Sequence, residues 1–155
     1  MFDLLQIYPV GFHFTVSCIG LPPTPMAILN EPFQEVSGLT TDRDVEEVAE
    51  GGENGFVHQL PKRPKAGRLK LRRVMTPIIN PFTAWCTLCL EAELEVPVIK
   101  TDLVIMLHNQ YKIPTMTWRV GRAFIVKREA DTFDAMKNEL AMETIEMAYH
   151  QLNRV

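Results

Sequence analysis

The chain has 155 residues, of which 46% are hydrophobic and 23% charged, and a net charge of −3. That length suits one domain able to bury roughly 70% of its unfolded surface, and the composition argues against disorder. Nothing in the bulk charge calls for nucleic acid or an anionic membrane as partner, and no apolar run approaches the roughly 18 to 20 residues of a spanning helix.

Met1 to Val10 carries Asp3, lacks a basic start and does not read as a secretory signal. Gly11 to Gly20 alternates as a half-buried strand, with Phe12, Phe14, Val16 and Cys18 on one face and His13, Thr15 and Ser17 on the other. Three prolines between Leu21 and Pro25 then interrupt regular structure, so an irregular loop is expected up to Pro32. Strands are expected over Phe33 to Leu39, Val45 to Glu50 and Phe56 to Leu60, with Gly51, Gly52 and Gly55 as turn residues. Arg68 to Met75 alternates again, Leu69 and Leu71 opposing Arg68, Lys70 and Arg72.

Phe82 to Ala92 is the best helix candidate, because Phe82, Trp85, Cys86, Cys89 and Leu90 follow helical spacing. Val96 to Asn109 and Thr115 to Val126 read as two strands joined by a turn at Asn109-Gln110-Tyr111-Lys112. The C-terminus is ambiguous. Leu140 to Leu152 consists of good helix formers, yet Ala141, Ile145, Met147 and Tyr149 also alternate as a strand would. Five or more strands with few helices point to a mainly β, antiparallel sandwich or barrel.

Few residues suggest chemistry. Cys86 and Cys89 form a CxxC, a spacing that can hold zinc or cycle as a redox pair. Structural zinc needs four ligands, however, and neither a second CxxC nor a nearby histidine pair accompanies it, so small core residues are the plainer reading. Three cysteines, two of them only three apart, are not a disulfide framework, and reduced thiols folding in a cytoplasm are expected. Glu50 to Gly55 lacks the Lys-Ser/Thr ending of a phosphate loop and reads as a β-turn. No catalytic, metal-binding or cofactor-binding residue is singled out.

The charge pattern says more. Asp42, Asp44, Glu46, Glu47, Glu50 and Glu53 surround the single base Arg43. Lys62, Arg63, Lys65, Arg68, Lys70, Arg72 and Arg73 then follow with no acid among them. Two readings stand side by side: solvated faces that balance within one fold, or complementary edges meeting head to tail between identical subunits. Nucleic-acid binding through the basic run is a third, weakened by the absence of stacking aromatics within it.

Several blocks together resemble the tail tube family of contractile phages and extracellular contractile injection systems. They are Val10-Gly11-Phe12-His13-Phe14, Phe33-Gln34-Glu35-Val36-Ser37-Gly38-Leu39, Glu50-Gly51-Gly52-Glu53-Asn54 and His58-Gln59-Leu60-Pro61. Leu69-Lys70-Leu71-Arg72-Arg73, Trp118-Arg119-Val120, Ala123 to Lys127 and Asn138 to Tyr149 complete the set in order. The resemblance implies a small two-sheet sandwich or barrel with one flanking helix, about 82–92, and an extended strand over Thr144 to Gln151.

It further implies hexameric rings whose inner sheets join into a continuous β-barrel, stacked into a tube that a sheath drives through a target membrane. Asp42 to Arg73, including Gly51, Gly52 and Asn54, would then carry contacts between subunits or rings. Implied partners are further copies of the chain, sheath, spike and baseplate proteins, and a protein or DNA cargo in the lumen; stable membrane insertion by this chain is not implied. Assembly in a bacterial cytoplasm, with possible release of the particle, follows from the same resemblance. Val74 stands where relatives commonly carry glycine, and Leu21 to Glu31 is unusually proline-rich. Both the repeating tube subunit and an initiator that adapts the tube to its spike remain open.

Overall fold

The computed structural model describes residues 13–21, 28–52, 55–77, 79–92 and 96–155. Alternation builds most of it. Phe14–Ile19 forms β1, whose Val16 and Cys18 point into the core. Leu69 and Leu71 on β6 (Arg68–Val74), Leu103 and Ile105 on β7 (Thr101–His108), and Ile145 and Met147 on β9 (Met142–Ala148) do the same. Each fully buried side chain of this size contributes about 1.5–3 kcal/mol of burial free energy.

The remaining strands are β2 (Ile28–Glu31), β3 (Glu35–Ser37), β4 (Asp42–Val48), β5 (His58–Lys65), β8 (Pro114–Ala130) and β10 (Gln151–Arg154). One path of antiparallel pairs runs β2-β1-β7-β8-β9-β6-β3, with β10 added to β8. The long strand β8 turns this path into two layers. Its first part pairs with β7 and β10, and its second part, from Phe124, pairs with β9. The bend falls at Gly121 and Arg122, and Arg122 adopts φ 53°, unusual for a residue with a side chain. The Asp102 carboxylate accepts the Arg122 backbone N–H and the Arg119 guanidinium, both at 3.0 Å, which pins the corner. The mainly β, antiparallel expectation therefore holds, and β4 and β5 stand apart as a two-stranded ribbon.

The helix α1, Pro81–Glu91, closes one side of the sandwich. Asn80 caps it, its side-chain oxygen accepting from the backbone of Phe82 (2.8 Å) and Thr83 (3.3 Å), and Pro81 occupies the first turn, where no N–H is needed. Phe82 packs edge-on against Phe33 and Trp85, at 5.4 and 5.6 Å between ring centroids.

Several boundaries differ from expectation, among them β4, which spans Asp42–Val48 where Val45 to Glu50 was expected, and β8, which runs past Val126 to Ala130. The first strand was expected from Gly11, but residues 11 and 12 lie outside the described ones. Ile28–Glu31, expected in a loop, pairs with β1 once the prolines are passed, in the register Val16↔Glu31. Strand β5 runs on to Lys65 through Pro61 and Pro64; in a two-stranded ribbon each strand is an edge, where a missing N–H is tolerated. Strand β7 begins at Thr101 instead of Val96. Just before it, the Ile99 carbonyl accepts the Trp85 indole N–H at 2.9 Å.

The C-terminal segment is extended, as the family resemblance implied, but breaks at Tyr149 and His150 into β9 and β10. Central pairing of β9, with β6 on one side and β8 on the other, overrides its helix propensity. The expected turn at Asn109 forms: Lys112 N–H donates to the Asn109 carbonyl, and the Asn109 side chain accepts from Tyr111 and Ile113.

Candidate assembly surfaces

The charge-rich segment singled out in the sequence becomes the β4–β5 ribbon and strand β6. Antiparallel register places Asp42 opposite Lys65 and Glu46 opposite Leu60, so the acidic and basic runs lie alongside each other within one copy. Lys65 meets Asp44 at 2.5 Å, Lys62 meets Glu46 at 3.8 Å and His58 meets Glu50 at 3.6 Å. The Asp44 hydrogen bond holds the Lys65 ammonium above the ordinary lysine pKa. Gly51 and Gly52 form the turn, with Gly52 at φ 103°; Glu53 and Asn54 lie outside the described residues. Glu47 and Arg63 are exposed on the ribbon, as are the apolar Val45 and Leu60. Gly38 sets the ribbon's root. Its φ is +85°, and a Cβ there would fall 1.9 Å from the Arg68 carbonyl oxygen, so the chain can turn off β3 only with glycine.

The basic run divides at β6. Arg68, Lys70 and Arg72 face solvent; Lys70 pairs with Glu146 at 3.4 Å and Arg72 with Asp131 at 2.6 Å. Bases matched in this way do not make a continuous cationic stripe. Arg73, expected at the surface with the rest, instead lies in the core with 1% exposure, because strand parity puts it on the face of Leu69 and Leu71. Its guanidinium donates to Glu143 (2.8 Å), Glu31 (3.0 Å) and Thr83 (2.7 Å) and stacks over the Phe82 ring at 4.7 Å. Asn80 donates to Glu31, and Thr76 shares a hydrogen bond with Thr83. This network ties β2, β6, β9 and α1 together. A neighbouring subunit could not touch it.

The cysteines belong to the core as well. Burial pushes the Cys86 thiol up to about 12 and raises Cys18 and Cys89, the opposite of the lowered pKa that reactivity requires. Among the described residues no group of three His, Cys, Asp or Glu side chains is placed to hold a metal.

Two features were not singled out from the sequence. One is the loop 131–141 between β8 and β9, which exposes Phe133, Met136 and Leu140. Apolar residues standing alone between two strand patterns were the available signal. The other is a set of open edges. Among the described residues, β3 pairs only with β6, β2 only with β1, β10 only with β8, and Phe124 to Ala130 only with β9. Such edges present unpaired backbone groups to a neighbour.

The family model described as T4-like virus tail tube protein gp19 matches residues 10–153. The chain belongs to this tail tube family. Solved structures agree. A chain in the six-fold symmetrised baseplate of the anti-feeding prophage is 27% identical, with a TM-score of 0.84 over 96% of this chain and 95% of that one. A chain in the sheath–tube complex of the extracellular contractile injection system PVC, in its extended state, is 25% identical, with a TM-score of 0.78 over 98% and 95%. A chain in the anti-feeding prophage tube-terminating cap is 25% identical, with a TM-score of 0.77 over 96% and 91%. No curated protein matches. As a tail tube protein, this chain has its most prominent features, the ribbon, the loop 131–141 and the strand edges, where further copies could reach them.

Proposed function

We propose that this chain is a structural subunit that closes into six-membered rings, which stack into the hollow inner tube of a contractile injection particle. The observation that carries the reading is the likeness to a chain of the PVC sheath–tube complex, spanning 98% of this chain and 95% of that one. The open strand edges support it physically. Joining β3 or Phe124 to Ala130 to a neighbour would remove unpaired backbone groups and extend one sheet around a lumen. The exposed ribbon supports it too, since a two-stranded arm with apolar Val45 and Leu60 on its surface gains by lying against another subunit. The role is mechanical and not catalytic, with sheath and baseplate proteins as partners, a protein or DNA cargo in the lumen, and assembly in a bacterial cytoplasm.

A second reading is an initiator ring that joins the tube to the spike. The anti-feeding prophage baseplate chain favours it, with a TM-score of 0.84 against 0.78 for the sheath–tube chain. Negative-stain electron microscopy over a concentration series separates the two. Hollow filaments with a ring repeat identify the tube subunit, and closed six-fold rings that never stack identify the initiator. A chain that stays monomeric at every concentration, salt and pH overturns both.

A further inference from the structure

The second layer carries a protrusion at each end. Register places Val74 beside Met142 and Arg68 beside Ala148. The loop 131–141 therefore leaves one end of this layer, while the ribbon, entered after Ser37 and left before Arg68, leaves the other. The loop is a built knob. Asp131 N–H donates to the Met142 carbonyl at 2.9 Å, and the Asp131 carboxylate accepts from Arg72 at 2.6 Å. Asp134 accepts the Met136 N–H at 2.9 Å through its side chain and the Lys137 N–H at 3.1 Å through its carbonyl. Held in this form, the knob presents Phe133, Met136 and Leu140 at 67%, 94% and 70% exposure. Besides Asp131 it carries Asp134 and Glu139 against the single base Lys137.

At the opposite end lies a cleft of about 550 Å³ between the ribbon root and β10. Pro64, Ala66, Tyr149 and Leu152 contribute apolar surface, while the ribbon wall adds the Arg63 cation beside Lys65, whose charge is matched by Asp44. We propose that the 131–141 knob of one copy seats in the ribbon-root cleft of a second copy in the adjacent ring. The proposal rests on the ring-stacking reading above and deepens it. A knob at one end and a socket at the other form a heterologous contact, which propagates along an axis instead of closing on itself. Phe133 and Met136 supply the anchors that dominate such contacts, and Asp134 and Glu139 face Arg63, which sets register more than strength. Six identical contacts act at once between two rings, so a modest loss in each compounds.

The test is electron microscopy of Phe133→Ser/Met136→Ser beside the unaltered chain, with thermal melts to verify folding. The expected result is closed rings with an unchanged melt and a fraction of stacked rings that falls about tenfold or more. Stacks as long as those of the unaltered chain overturn the proposal. Glu139→Lys and Arg63→Glu are each expected to shorten the stacks, and the two combined in one chain to lengthen them again; no recovery overturns the facing of loop and cleft. If the unaltered chain forms rings that never stack, the proposal fails while the ring reading survives. If it forms no rings, both fail.

Discussion

Two charged regions drawn from the same stretch of sequence behave in opposite ways. On the ribbon, Lys65 and Asp44 meet at 2.5 Å with their side chains 62% and 43% exposed, so water and salt screen most of the attraction. In the core, Arg73 meets Glu31 and Glu143 at 3.0 and 2.8 Å, with all three side chains no more than 5% exposed. There each charge has lost its hydration, and the Thr83 hydroxyl, which accepts from Arg73, and the Asn80 amide, which donates to Glu31, complete what the ions cannot supply to one another. Distance alone does not separate the two cases. Burial does, and it makes one pairing a structural tie and leaves the other available for contact with a neighbour.

Removing one member from each region sharpens the contrast. Arg73→Ala strands two buried carboxylates and is expected to cost about 3–5 kcal/mol in denaturant unfolding, enough to unfold a marginal domain. Replacing Arg73 by Met together with Glu31→Gln and Glu143→Gln should recover part of that loss, since no lone charge is then left inside. If the triple change proves worse than Arg73→Ala, the cost lies in packing and not in uncompensated charge.

Asp102 is the intermediate case, one third exposed at the corner of β8. The Arg122 N–H and the Arg119 guanidinium hold its carboxyl below the usual aspartate range. A depressed folded pKa means a contribution present above the unfolded value near 3.8 and lost as pH falls through the folded value. Asp102→Asn should therefore destabilise at neutral pH by less than Arg73→Ala, and the difference from the unaltered chain should vanish in acid. A difference that persists at pH 2 would mean the carboxylate is not what pins the bend. Lys65→Ala, the smallest change, is expected to leave the unfolding midpoint of the isolated subunit where it was. Raising salt should erase any residual effect there and leave the Arg73→Ala loss intact.

The contrast was only half legible in the sequence. Val16, Cys18, Leu69 and Leu71 announce their strands because a two-residue period is local, and Phe82, Trp85, Cys86, Cys89 and Leu90 announce the helix because its spacing is local too. Alternation alone puts Arg73 on the face of Leu69 and Leu71, but nothing local supplies the acids that let a base be buried there: its partners lie 42 and 70 residues away. The C-terminal strand posed the converse problem: Leu140 to Leu152 favours a helix by propensity, and only pairing of β9 between β6 and β8 decides otherwise. Prolines hid both β2, which begins only after Pro25, and the full length of β5, whose Pro61 and Pro64 are tolerated because the strand is an edge. Of the candidate surface, the ribbon could be read from its charges. The loop 131–141 was not, because Phe133, Met136 and Leu140 stand at i, i+3 and i+7, a helical spacing that does not announce an exposed loop.

Native mass spectrometry of the purified chain tests the central claim most directly. A 17.7 kDa subunit that closes rings through its open edges should appear at six times that mass, with multiples of the six-membered species as concentration rises. Monomer or dimer alone across the whole concentration range, from protein with an intact melting transition, would contradict it.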